Sequence, residues 1–125
     1  MSSQHNQAPL PYRALTSDYP TEISSKVQAA LDTGYRLSGD LIIQKHKTGV
    51  TYIQVVLSQK VSESGPNIRP DGYQVVTGDT SRSFCEEVSS LTGAGWLLSG
   101  CLRSFENRGK VYLTQILIKP KPRKT

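Results

Sequence analysis

Few side chains in this sequence are suited to metal or nucleophilic chemistry. The histidines are His5 and His46, and the cysteines are Cys85 and Cys101. A structural zinc site gathers four such ligands, usually in closely spaced pairs. These four residues are scattered singly, so no metal site is expected. The string Cys85-Glu86-Glu87 invites an acid–base reading. Adjacent residues on a helix point about 100° apart, so the two glutamates read better as a solvated face. No serine can be singled out for a Ser-His-Asp arrangement. Catalytic residues, an enzymatic activity and a cofactor are therefore not expected. The glycine-rich stretch "TGAGWLLSG" (92–100) does not spell G-x-G-x-x-G, and it follows a helical pattern instead of opening one. A phosphate cradle needs the opposite order.

Binding chemistry has better candidates. Tyr35 and Arg36 stand together, and Arg103, Phe105, Asn107 and Arg108 cluster further along. Guanidinium groups hold phosphates and aromatic rings stack on bases. These six residues make an anionic, nucleotide-type ligand the favoured small-molecule partner. Tyr35 and Trp96 also suit the core at a corner between helix and strand, and for Trp96 that reading is preferred. A second basic feature is the end of the chain, "KPKPRKT". It carries Lys119, Lys121, Arg123 and Lys124 and no acid. These are four of 15 basic residues, against 10 acidic ones elsewhere, so the body has a net charge of only +1 out of +5. The basic end is a possible nucleic-acid contact.

The 125 residues are 36% apolar and 20% charged, within the range of a globular domain and outside that of disorder. No apolar run is long enough to span a bilayer, and "MSSQHNQAPLP" lacks the features of a secretory signal. A cytoplasmic protein without a membrane partner is expected, in a host cell if the source is viral. In that compartment the cysteines read as free, partly buried thiols.

Positioning of these residues is governed by an internal repeat. An offset of 61 residues, from Tyr12 to Tyr73, lays "YRALTSD" on "YQVVTGD" and "GYRLSGDL" on "GWLLSGCL". The same offset lays Val27 on Val88, Val50 on Val111 and Gln54 on Gln115. The register holds without a gap from residue 12 to 58, which implies two copies of one unit, 12–58 and 73–119. A flexible start (1–11), a linker (59–72) and a basic tail (120–125) complete the chain. Arg69 lies in the linker, which is read either as a lid or as a mobile connection.

Each copy opens on a short β-type run. Ile23, Val27, Ala30 and Leu31, and Phe84, Val88 and Leu91, then form helical stripes. Ser17 or Asp18, and Asp79 or Thr80, are expected to cap these helices, with Pro20 in the first turn. Gly34 and Gly95 end them. Two strands follow, joined by turns at Gly49 and Gly109. Gly100 marks a bulge or a close backbone approach.

The last strand of each copy is apolar on both faces, so both faces need cover. One helix supplies one cover; the sister copy or another subunit supplies the other. The expected fold is α+β, two tandem β-α-β-β units with pseudo-two-fold symmetry, in a homo-oligomer.

The residues Tyr73-Gln74-Val75-Val76, Phe84, Val88, Leu91, Gly95-Trp96, Gly100 and Gln115 resemble a short bacterial and phage family, the domain of unknown function 1737. The resemblance implies the same β-α-β-β plan and no particular activity. Ser38 and Ser99 depart from it, because the family tends to have glycine or another small residue there. The family's spread through phage genomes implies a possible role in sequestering a host defence signal. Three readings follow: a non-catalytic binding protein for an anionic nucleotide-type signal, a nucleic-acid-associated protein, or a protein–protein adaptor or inhibitor. If the second is correct, the tail and hairpins contact nucleic acid, and removing residues 119–125 will weaken a salt-sensitive binding measured in a titration series.

Overall fold

The computed structural model describes residues 10–58, 70–79 and 82–120. Its elements are β1 (Tyr12–Ser17), α1 (Pro20–Asp32), β2 (Arg36–His46), β3 (Gly49–Leu57), β4 (Gly72–Asp79), α2 (Arg82–Gly93), β5 (Leu97–Asn107) and β6 (Lys110–Lys119). Most of the expected linker, including Arg69, lies outside the described residues, as do residues 1–9 and 121–125.

The apolar stripe places Ile23, Val27, Ala30 and Leu31 of α1 in the core. Pro20 stands in the first turn, where its missing N–H costs nothing. The cap itself is Tyr19, which contributes no side-chain bond. The Ser17 hydroxyl instead accepts from the Tyr19 N–H and donates to the Glu22 carboxylate. Asp18 accepts from the Thr51 hydroxyl. Neither expected residue holds the cap position, because both are already occupied one step earlier in the turn. Thr80, put forward for the second helix, lies outside the described residues.

Both helices end in the same way. The Tyr35 N–H donates to Ala30 O and the Gly34 N–H to Leu31 O, while Trp96 donates to Leu91 O and Gly95 to Thr92 O. Gly34 and Gly95 have φ of 105° and 99°. This six-to-one, five-to-two pattern needs a left-handed residue, which glycine supplies without a steric penalty.

The strands form two antiparallel sheets, ordered β1-β3-β2 and β4-β6-β5. Tyr12 pairs with Leu57 and Tyr73 with Ile118. Both hairpins carry a register shift, between Ser38 and Ile42 and between Ser99 and Arg103. Gly39 and Gly100 sit in these shifts with positive φ. A glutamine fills each: the Gln54 amide donates to the carbonyls of Ser38 and Gly39, and the Gln115 amide to that of Ser99. The bulge frees these carbonyls from the ladder, and a buried carbonyl needs a donor.

Call the face of each sheet that meets its own helix the inner face. In the first sheet Leu15, Leu37, Leu41, Val50, Tyr52 and Val56 point inward with α1. In the second, Val76 and Leu117 point inward to Phe84 of α2. The outer face of the second sheet is largely covered, with Leu97 exposed at one end. Tyr73, Val75 and Ile116 join the core around α1, with Phe105 and Ile118 packed against it. The second sheet therefore packs against the core around α1 on its outer face and against α2 over only part of its inner face, where Leu98, Leu102 and Val111 stay exposed. The inner face of the first sheet is shared between α1 and the outer face of the second.

Polar contacts fix this stacking. β4 is an edge strand, and α1 runs along it. The Val75 N–H donates to the Ser24 hydroxyl at 2.9 Å and the Tyr73 N–H to Gln28 Oε1 at 3.0 Å, while Gln28 Nε2 donates to Asp71 O at 2.8 Å. A helix thus closes an edge that would otherwise pair with another chain. Deeper in, the Tyr73 hydroxyl donates to Gln54 Oε1 at 2.8 Å, and the Tyr52 hydroxyl to Thr77 Oγ1 at 3.0 Å.

The expected two-fold relation is not observed. A two-fold axis would bring the same surface of each unit together. Here the inner face of the first unit meets the outer face of the second, so the seam joins two different surfaces. The side chains of Ser24 and Gln28 select this mode, because they offer acceptors to a strand edge.

Burial raises the pKa of both seam tyrosines, Tyr52 and Tyr73. Above pH ~10 the unfolded chain sheds these phenolic protons while the folded chain keeps them. The stability from burying the neutral phenols is fully present below pH ~10. It falls above that, by up to about 1.4 kcal/mol per pH unit for each tyrosine. Tyr73→Phe strands Gln54 Oε1 and costs about 1–3 kcal/mol at neutral pH. It also shallows the alkaline loss. Urea unfolding of both proteins from pH 8 to 11 measures both effects.

Candidate functional site

The structure scatters the residues expected to bind an anion. Tyr35 is buried and donates its hydroxyl to Leu10 O at 2.7 Å, with the Arg13 guanidinium 5.3 Å from its ring centre. Arg36 is also buried and donates from Nη1 to Ser58 O at 2.7 Å. Arg103 lies at the seam, 3.5 Å from the Asp40 carboxylate. Phe105 is partly buried beside the first core and stacks on Tyr112, ring centres 5.3 Å apart. Asn107 ends β5, and Arg108 occupies the following turn with φ of 55°. Arg103 and Phe105 are thus neighbours of the seam, Asn107 and Arg108 belong to the hairpin tip, and Tyr35 and Arg36 occupy the helix–strand corner of the first unit. Of the basic tail, Lys119 is the end of β6, with its ammonium 5.9 Å from the centre of the Trp96 ring. Lys121, Arg123 and Lys124 lie outside the described residues.

His46 bonds Thr48 through Nδ1 in the first hairpin turn. Among the described residues, no group of three or more His, Cys, Asp or Glu side chains is placed to hold a metal ion. No helix among them is long and apolar enough to cross a membrane. Cys85 and Cys101 are free and exposed, not partly buried as expected. Cys85 stands beside the apolar stripe of α2 instead of on it, and Cys101 follows the bulge glycine.

The second unit has an open apolar face where the first has a core. Leu37 is 6% exposed, and Leu98, 61 residues later, is 58% exposed. Leu41 is fully buried and Leu102 is 54% exposed; Val50 is 8% exposed and Val111 48%. Pairing of Leu98 with Leu117 puts it on the inner face of the second sheet. Leu113, Val88, Leu91 and Trp96 continue that face and are only partly buried. Trp96 packs closely against the sheet edge: a Cβ built on Gly72 would come within 2.7 Å of its ring.

No protein-family model, no curated protein and no solved structure matches this chain. Any functional reading therefore rests on the geometry of the chain itself.

Beside the open face, α2 borders an open groove of about 580 Å³ lined by Arg82, Cys85, Glu86, Ser89 and Ser90. The positions of Cys85 and Ser89 correspond to those of Ser24 and Gln28, the residues of α1 that hold the β4 edge. On α1 the corresponding space is filled by a strand. On α2 it is open. Chemically the region offers apolar area, two thiols and hydroxyl acceptors, with Arg82 and Glu86 paired at 2.8 Å on its rim. Contiguous apolar surface beside a polar-rimmed groove marks a protein-docking site more readily than a small-anion site.

Sequence reasoning missed Leu98, Leu102 and Val111 as functional candidates. The 61-residue offset lays them on Leu37, Leu41 and Val50, but an apolar residue in a strand reads as core whether or not anything covers it.

Leu41→Ala is expected to cost about 2–5 kcal/mol, as for a filled core site. Leu102→Ala in dilute protein is expected to cost less than about 0.5 kcal/mol. Denaturant unfolding at sub-micromolar concentration, followed by the fluorescence of Trp96, will compare them.

Proposed function

We propose that this protein is a non-catalytic binding protein that works by docking protein surface on the inner face of its second unit. One observation carries the reading. Leu98, Leu102 and Val111 are about half exposed, whereas the residues 61 positions earlier form a buried seam with another sheet. The reading treats 12–58 and 73–119 as two copies of one unit, and the registers support this. On that reading the surface of the first copy is the guide to what the second can accept: the outer face of a three-stranded sheet, with its edge strand laid along the helix.

This is the adaptor reading of the sequence, in an oligomeric protein. The nucleotide-sequestering reading is supported less well. It needs Arg36, Arg103 and Arg108 to converge, whereas Arg36 serves a backbone carbonyl, Arg103 faces Asp40 and Arg108 turns a hairpin. Nucleic-acid association through the tail depends on residues outside those described.

In native mass spectrometry of protein purified from its own host, the wild type will retain a protein partner in fixed stoichiometry. Leu102→Glu, which puts a charge in the centre of the face, will lose it while keeping its circular dichroism spectrum. A partner retained equally by both proteins means that docking occurs elsewhere.

A further inference from the structure

The seam inside the chain identifies one occupant for the open face. We infer that the inner face of the second unit receives the outer face of the first unit of another copy, head to tail, with β1 of the incoming chain lying in the α2 groove. The inference rests on the docking reading above and names its partner. Four observations lead to it.

First, the incoming surface is itself open. Tyr12 is 59% and Ile42 50% exposed, and Ala14 and Thr16 are exposed beside them on the outer face of the first sheet. These residues correspond to Tyr73, Arg103, Val75 and Thr77, which form the outer side of the internal seam. Each chain therefore presents one unused copy of both seam surfaces.

Second, the central polar contact can be remade. Inside the chain the Tyr73 phenol donates to Gln54 Oε1. Tyr12 repeats Tyr73, and Gln115 repeats Gln54. Gln115 already uses its amide nitrogen on the carbonyls of Ser99 and Ile116. At the 61-residue offset its oxygen is the counterpart of the Gln54 oxygen that accepts from Tyr73.

Third, the charged contact of the internal seam is replaced without leaving a lone charge. Arg103 and Asp40 pair at 3.5 Å. The corresponding residues between chains are Ile42 and Cys101, an apolar pair. Thr114 and Tyr52 are similarly replaced by Ile53 and Leu113, which makes the seam between chains less polar than the one within.

Fourth, the groove beside α2 lies where a strand belongs. β1 is an edge strand of its sheet, as β4 is of its own. Cys85 and Ser89 are shorter than a serine–glutamine pair would be together. The groove they leave runs along the helix where β4 runs along α1.

A seam between two different surfaces leaves one of each at the ends, so copies add into open chains or close into a ring. A front-to-front dimer would instead bury the second unit's inner face twice and leave the first unit's outer face unused. Sedimentation velocity of the purified full chain over a hundredfold concentration range separates these cases. The wild type will grow in mass with concentration. Leu102→Glu on one surface and Ala14→Glu on the other will each weaken self-association on the order of a hundredfold or more, since each buries an unpaired charge. Both positions are exposed in the single chain, and circular dichroism will show both variants folded. Mixed at equal concentration, the two variants will form a one-to-one dimer and nothing longer, because each retains the surface that the other has lost. In unmodified protein, alkylation of Cys85 and Cys101 will slow over the concentration range where mass rises.

Ala14→Glu that assembles as well as wild type overturns the inference, as does a mixture that stays monomeric. A wild type that is monomeric throughout also overturns it. If that monomer still holds a different protein through Leu102, the docking function stands without this partner; if it holds none, both readings fall.

Discussion

The structure turns on one buried amide. Gln54 sits in a bulge that has released the carbonyls of Ser38 and Gly39 from their ladder, and its nitrogen satisfies them. That leaves its oxygen buried and in need of a donor, which the Tyr73 hydroxyl supplies. A buried polar group without a partner costs more than its hydrogen bond gains when made. The bulge of the first unit and the outer face of the second are therefore bound to one another. Ser24 and Gln28 reinforce the connection by closing the β4 edge. Around these polar contacts the apolar area does most of the stabilising, with Tyr52, Tyr73, Leu41 and Val56 almost fully buried.

The consequence is an uneven molecule. The first unit has a complete core, closed on one side by its helix and on the same side by its neighbour. Among the described residues, the second unit has its outer face closed by that neighbour and its inner face closed by α2 alone. Its own core is small: Val76, Phe84 and Leu117, with a partly buried rim. This joint uses the inner face of the first sheet and the outer face of the second, and leaves Tyr12 and Ile42 on one sheet and Leu98, Leu102 and Val111 on the other exposed.

The repeated phrase "GYRLSG" and "GWLLSG" illustrates the same point locally. Tyr35-Arg36 gives one copy a polar corner, and Trp96-Leu97 gives the other an apolar one. In the structure the polar corner is buried, with both side chains bonded to carbonyls, while Leu97 is exposed. Chemistry at the corner is the inverse of what residue type suggests, because hydrogen bonds to Leu10 and Ser58 make the burial of Tyr35 and Arg36 affordable. The anion-binding expectation weighed arginines and aromatics by type, and type alone does not show whether a guanidinium faces solvent or the chain's own backbone.

The sequence by itself determined each unit. Apolar periodicity set the helices, Gly34 and Gly95 stopped them, turn residues set the hairpins, and Gly39 and Gly100 allowed the bulges. All of these are short-range effects, written within a few residues of where they act. The offset of 61 residues also showed that Leu98, Leu102 and Val111 match Leu37, Leu41 and Val50. Only the tertiary structure decided which of each pair is covered. That depends on the docking of one unit on another, through Ser24, Gln28 and Tyr73, residues far apart in the chain whose types are common on any surface. No local rule distinguishes an apolar strand face that the rest of the chain covers from one that it leaves exposed.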